Sequence, residues 1–195
     1  MSKIKTIREL VKRNSNGKKV LLLFVATNIV YVLMLTLTIP TVMNFSNGMK
    51  LLDIMPSGYS VEYVNRLLQA LGTEGRNAYL FKQLPLDMIY PGLFAITYCL
   101  LVGYLLDKLG KLEGPLFYFC WIPVFSGLFD YGENVGIITM LSTYPNDSNL
   151  LIKVTSIFSV LKSSFTTGYF IVVLIITIKF AWTKLLAKNS LADNR

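Results

Sequence analysis

The sequence predicts an all-α integral membrane protein, a four-helix transmembrane bundle with short amphipathic helices in a long outer loop. Three observations carry this. The 195 residues are 53% hydrophobic and 15% charged, with a mean hydropathy of +0.53. Soluble domains carry about 25% charged residues. Four apolar runs approach the ~20 residues that a membrane-spanning helix needs, and none shows the period-2 alternation of a membrane barrel. The net charge of +8 is unevenly placed. Residues 1–19 hold Lys3, Lys5, Arg8, Lys12, Arg13, Lys18 and Lys19 against Glu9 alone, directly before an apolar run. A basic block there is the flank of a membrane segment, not a nucleic-acid surface.

The first predicted span covers about 20–43. Its apolar stretch exceeds the 7–15 residues of a signal peptide, and no small-x-small cleavage site follows, so it reads as retained. Residues 44–87 form the outer helical cap. Ser60 caps a helix whose Val61, Val64, Leu67, Leu68 and Leu71 share one face, and Gly72 suits its end. A second short helix is expected from Thr73 to the region before Pro85. The further spans cover about 88–106, 116–141 and 161–183, the last with a helix starting near Leu150. The whole chain, 1–195, reads as one transmembrane domain.

Loop charges set the direction. The connection Asp107 to Pro115 carries Lys108 and Lys111, and the tail carries Lys184, Lys188 and Arg195. The connection Ser142 to Asn149 carries none, and residues 44–87 carry four Lys/Arg over 44 positions. The positive-inside rule then places both termini in the cytoplasm of a multi-pass protein.

There is no His, which removes the commonest general base and the commonest metal ligand. Cys99 and Cys120 both lie in apolar runs and read as small buried residues, not as a disulfide. No phosphate-binding loop, Cys-x-x-Cys or nucleophile elbow is present. No cofactor and no metal site is expected.

The remaining chemistry lies in the third span, in FSGLFDYGENVG (Phe125 to Gly136). Positions three and four apart share a helical face, so Asp130, Glu133 and Asn134 project together. Counted from Leu116 at 1.5 Å per residue, Asp130 lies roughly 21 Å and Glu133 roughly 26 Å along the span, in its outer half. Asp87, Tyr90 and Tyr98 of the second span and Lys162 of the fourth reach similar depths. Asp87, Tyr90, Tyr98, Asp130, Glu133, Asn134 and Lys162 are therefore the candidate ligand-binding residues. Ionisable residues inside a membrane are functional candidates by default. The competing reading is an ion-pair lock of Asp130 and Glu133 with Lys162 or Arg76. Asp53, Glu62, Glu74 and Arg76 otherwise read as solvated loop charges.

The layout resembles the four-helix sterol-isomerase and sigma-2-receptor-like membrane proteins. The likeness rests on Leu86-Asp87-Met88-Ile89-Tyr90-Pro91 opening the second span and on the acidic patch of the third, about the middle third of the chain. It implies acidic residues facing an amphiphilic ligand. The His residues used by the isomerases are absent here. Three functions follow: an outward-facing acidic pocket that binds or acts on a lipid-like or cationic amphiphilic molecule, a proton-coupled small-molecule transporter working as a homodimer, or a structural or accessory membrane protein. The expected partners are the lipid bilayer and that amphiphile, with no nucleic acid.

Overall fold

The computed structural model describes residues 2–193, with side chains for 4–182. Arg195 and the side chains of Lys3, Lys184 and Lys188 lie outside the described residues. The described chain is all helical. Its elements are α1 (Ser2–Asn14), α2 (Gly17–Leu33), α3 (Ile39–Met43), α4 (Val61–Ala78), α5 (Leu84–Lys108), α6 (Ile122–Thr143) and α7 (Asn149–Asp193). Wider π turns, Met34–Thr38 and Tyr79–Gln83, join α2 to α3 and α4 to α5.

Each start has a local cause. Asn16 caps α2, its side chain accepting from the backbone N–H groups of Lys18 (2.9 Å) and Lys19 (3.3 Å). Ser60 caps α4 as predicted, accepting from Tyr63 N–H at 3.1 Å. Pro123 sits in the first turn of α6, and Pro85 directly follows the π turn that leads into α5.

Among the described residues, three helical stretches are long and apolar enough to cross a membrane: Gly17–Met43, Val61–Lys108 and Asn149–Trp182. Two expectations need correction. Gly72 (φ 60°, ψ −172°) does break the helix, and a second helix starts after it as expected, but that helix does not end before Pro85 and runs through the π turn into α5. The expected short helix ending before Pro85 is thus the beginning of the second long helix. The run 116–141 is the other. Pro115–Trp121 forms a 3-10 segment, and α6 starts only at Ile122. Depth counted from Leu116 in α-helical steps therefore does not hold. With Asp130, Glu133 and Asn134 at its middle, α6 is not among the helices apolar enough to qualify as a span.

The core has two parts. Near the 44–60 loop, Val64, Leu67, Leu68 and Leu71 of α4 pack on Val42, Leu51, Leu52, Ile137, Met140 and Ile152. The apolar face of α4 is thus buried against this part of the core. Each such side chain contributes about 1.5–3 kcal/mol on burial. Toward the N-terminal end, Val11 of α1 packs with Phe94, Tyr98, Val102, Leu106, Phe117, Cys120 and Tyr169. Cys99 and Cys120 are free thiols.

α2 packs on α5, α5 on α6 and α6 on α7, and α7 also reaches α5, where Tyr169 Oη donates to the Tyr98 carbonyl at 3.0 Å. Small residues set the close approaches. A Cβ at Gly127 would lie 2.8 Å from the Pro91 carbonyl oxygen, and one at Gly136 would lie 2.0 Å from Thr155 Oγ1. Gly127 thus admits α5, and Gly136 admits α7, as small residues do in membrane helix pairs. These two contacts enclose the polar middle of α6. The large exposed side chains of these helices, such as Leu21, Leu22 and Ile29 on α2 and Ile171, Leu174 and Ile178 on α7, are apolar.

Candidate functional site

Pro91 sits inside α5 and has no N–H to offer the carbonyl four residues earlier, which belongs to Asp87. Asn134 of α6 supplies the missing donor, its Nδ2 giving a hydrogen bond to the Asp87 carbonyl at 3.0 Å. An orphaned carbonyl in an apolar surround costs on the order of 1–3 kcal/mol, so the pair fixes α5 against α6 at this height.

Lys162 of α7 meets the acids of α6. Its Nζ donates to Asp130 Oδ1 at 3.0 Å and lies 2.6 Å from Glu133 Oε2, the latter an ion pair whose angles fall outside hydrogen-bond geometry. It also donates to the backbone carbonyl of Asp53 at 3.2 Å. Glu133 is fully enclosed and the Lys162 side chain is 15% exposed, so this pairing is shielded from water.

Asp53 is the residue that sequence reading missed. It is not a solvated loop charge. Its carboxylate accepts from Tyr79 Oη at 2.8 Å and from Gln83 Nε2 at 2.8 Å. Gln83 in turn accepts from Thr38 Oγ1. Both π turns therefore converge on one loop carboxylate, and π turns recur at functional sites. Burial pushes the Asp53 carboxyl up, while the Lys162 charge and the Tyr79 and Gln83 hydrogen bonds pull it back. A polar residue in each π turn was the signal available in the sequence. Arg76 is a second correction. It donates to the Leu68 carbonyl at 2.8 Å and lies 4.2 Å above the Tyr144 ring, with no contact to the acids of α6.

These groups border a cavity of about 760 Å³. Of the predicted residues, Asp87, Tyr90, Tyr98, Asp130 and Lys162 line it. Glu133 and Asn134 do not; both are wholly buried behind it. The wall continues as aromatic rings. Tyr31 stacks on Tyr90 with centroids 5.6 Å apart, Phe94 meets Tyr98 at 4.6 Å, and Phe170 meets Tyr98 at 5.7 Å. The cavity thus has a charged end at Asp87, Asp130 and Lys162, and an aromatic remainder.

Acceptors outnumber donors at the charged end. Asp87 Oδ2, Glu133 Oε1 and Asn134 Oδ1 are buried and have no hydrogen-bond partner. Asp87 is only 3% exposed. Buried polar groups are normally paired. Of these three residues only Asp87 lines the cavity. Asp53, Asp130, Glu133 and Lys162 all act electrostatically on Asp87, and only one of the four is a cation.

No protein-family model matches the chain, and no match was found among curated proteins or solved structures. The likeness of layout to the sterol-isomerase group therefore gains no support beyond the residues quoted for it.

Proposed function

We propose that this chain crosses a membrane four times, with both termini cytoplasmic, and that its cavity binds a lipid-like or cationic amphiphilic molecule. The membrane reading draws on three helices of spanning length and on the distribution of polarity. Large apolar side chains cover the outside of α2 and α7, while Asp87, Asp130, Glu133, Asn134 and Thr155 are buried. That is the reverse of a soluble fold, which rarely exposes large continuous apolar patches. In this reading α6 is the fourth span, enclosed between α5 and α7 so that its carboxylates avoid lipid.

One observation carries the ligand reading: Asp87 presents a buried carboxylate oxygen without a donor to a cavity whose other wall is aromatic. A cationic head supplies the charge and the donor. Tyr31, Tyr90 and Tyr98 offer ring faces to a cation and apolar contact to a tail. The volume suits a drug-sized ligand. The test is thermal melting in detergent with dodecylamine, dodecanol and dodecanoate. Dodecylamine raises the melting temperature of the wild type most, by mass action. The shift shrinks in Asp87→Asn and in Asp130→Asn, and at a pH low enough to protonate carboxylates. Equal shifts in wild type and both variants overturn the reading.

The Lys162 contacts favour a second reading, in which the charges only lock the bundle. It predicts no amine-specific shift at all. Topology is tested separately. Cysteines at Ser57 and Ser148 label with an impermeant thiol reagent from outside intact cells, and one at Ser2 does not. The reverse pattern sinks the orientation.

A further inference from the structure

The cavity has a loop end, where Pro56 is exposed, and a side between helices. Its loop end is strapped down on α7. Ser159 Oγ donates to the Met55 carbonyl at 2.9 Å, Tyr59 N–H donates to Ser156 Oγ at 2.8 Å, and Lys162 Nζ holds the Asp53 carbonyl. Gly58 makes the strap possible. It has φ +75°, and a Cβ there would lie 2.6 Å from Ser156 Oγ.

The side is different. α2 and α7 flank the cavity, α5 and α6 form its floor, and α7 also meets α5 where Tyr169 and Phe170 touch Phe94 and Tyr98. Tyr31 on α2, Leu35 in the π turn that follows it, and Thr167 and Phe170 on α7 line the cavity and are also exposed. The floor residues Asp87 and Asp130 are buried. The mouth is therefore the gap between α2 and α7. It opens onto exposed apolar side chains, among them Val32 on α2 and Ile171 and Leu174 on α7.

Resting on the ligand reading above, we infer that the ligand is a single-chain amphiphile with a primary-amine head, and that it enters sideways from the bilayer between α2 and α7. The head is specified by the unpartnered Asp87 Oδ2. A primary ammonium has three N–H donors to give, whereas a quaternary ammonium has the charge and no donor. The tail is specified by direction. Asp87 and Tyr98 are eleven residues apart on α5, roughly 16 Å along its axis. The aromatic wall follows that line from the charged end, through Tyr90 and Phe94.

The test uses the full chain in phosphatidylcholine vesicles, with Cys99 and Cys120 replaced by alanine. A nitroxide is attached at Thr167→Cys and, in a second variant, at Leu35→Cys on the opposite rim, with Ser57→Cys in the strap, which is exposed and does not line the cavity, as control. Collisions with oxygen, which concentrates in the bilayer, are compared with collisions with a water-soluble nickel complex. The expected result is oxygen-dominated relaxation at the two rims and nickel-dominated relaxation at Ser57→Cys. Dodecylamine dissolved in the bilayer removes most of the oxygen effect at the rim, dodecyltrimethylammonium does not, and Asp87→Asn abolishes the response. Nickel-dominated relaxation at both rims overturns sideways entry and leaves the ligand reading standing. Oxygen-dominated rims with no response to dodecylamine overturn the ligand reading, and this inference with it. Equal responses to the two amphiphiles overturn the primary-amine head.

Discussion

Asn134 on α6 donates to the main-chain carbonyl of Asp87 on α5, the carbonyl that Pro91 leaves without its helical partner. A side chain from one helix thus completes the backbone of another. It does so one residue from Glu133 and on the same residue whose carboxylate faces the cavity.

This pairing predicts a coupled effect. Asn134→Leu leaves the Asp87 carbonyl orphaned and costs on the order of 1–3 kcal/mol. In a Pro91→Ala background the helix supplies its own donor, and the same substitution costs less. Melting of the two singles and the double decides it. Additive losses would mean that the amide stabilises the fold by some other contact.

Lys162 serves three acceptors, so its loss is not repaired by removing one of them. Lys162→Met strands two buried carboxylates and destabilises by about 3–5 kcal/mol. Adding Glu133→Gln recovers part of that, and adding Asp130→Asn recovers more. If Glu133→Gln alone restored the wild-type melting temperature, Asp130 would have no share in the clamp.

The close approach of α6 and α7 is tested at its tightest point. A Cβ at Gly136 meets Thr155 Oγ1 at 2.0 Å and Thr155 Cβ at 2.8 Å, whereas one at Gly168 meets nothing within 4 Å. Gly136→Ala therefore destabilises by about 1–3 kcal/mol. Gly168→Ala is neutral or slightly stabilising, since alanine is the better helix former. Thr155→Ala relieves the first only partly, because its Cβ remains in the way.

Asp53 gives a pH dependence. Burial raises its carboxyl in the folded state, so the folded chain holds that proton to higher pH than the unfolded chain does. Its contribution is most favourable below the ordinary carboxylate value of about 4 and declines as pH rises above it. Asp53→Asn removes the titration while disturbing the Gln83 contact. The variant's deficit against wild type is thus larger at pH 5 than at pH 8 in detergent melts. A deficit that grows with pH would show that the Lys162 charge and the Tyr79 and Gln83 hydrogen bonds outweigh burial.

The sequence by itself determined the helical class, the Ser60 cap, the apolar face of α4 and the sharing of one face by Asp130, Glu133 and Asn134. All of these depend on spacings of three or four residues or on a capping side chain, which a helix fixes locally. It also named Lys162 as a partner for Glu133, although the depth count from Leu116 behind that pairing failed at the 3-10 segment Pro115–Trp121, and only the packing of α7 on α6 brings the two together. Tertiary structure decided what those groups do. It buried Glu133 and Asn134 behind the cavity and left Asp87 facing it, because Gly127 and Gly136 let α5 and α7 close on the middle of α6. It turned Asp53 from a loop charge into the meeting point of two π turns, through contacts with Tyr79, 26 residues away, and with Gln83, 30 residues away. The side mouth depends on something no local pattern encodes. It arises where α2 and α7 stand apart over α5 and α6, and hydrophobic periodicity is the same whichever helices become neighbours.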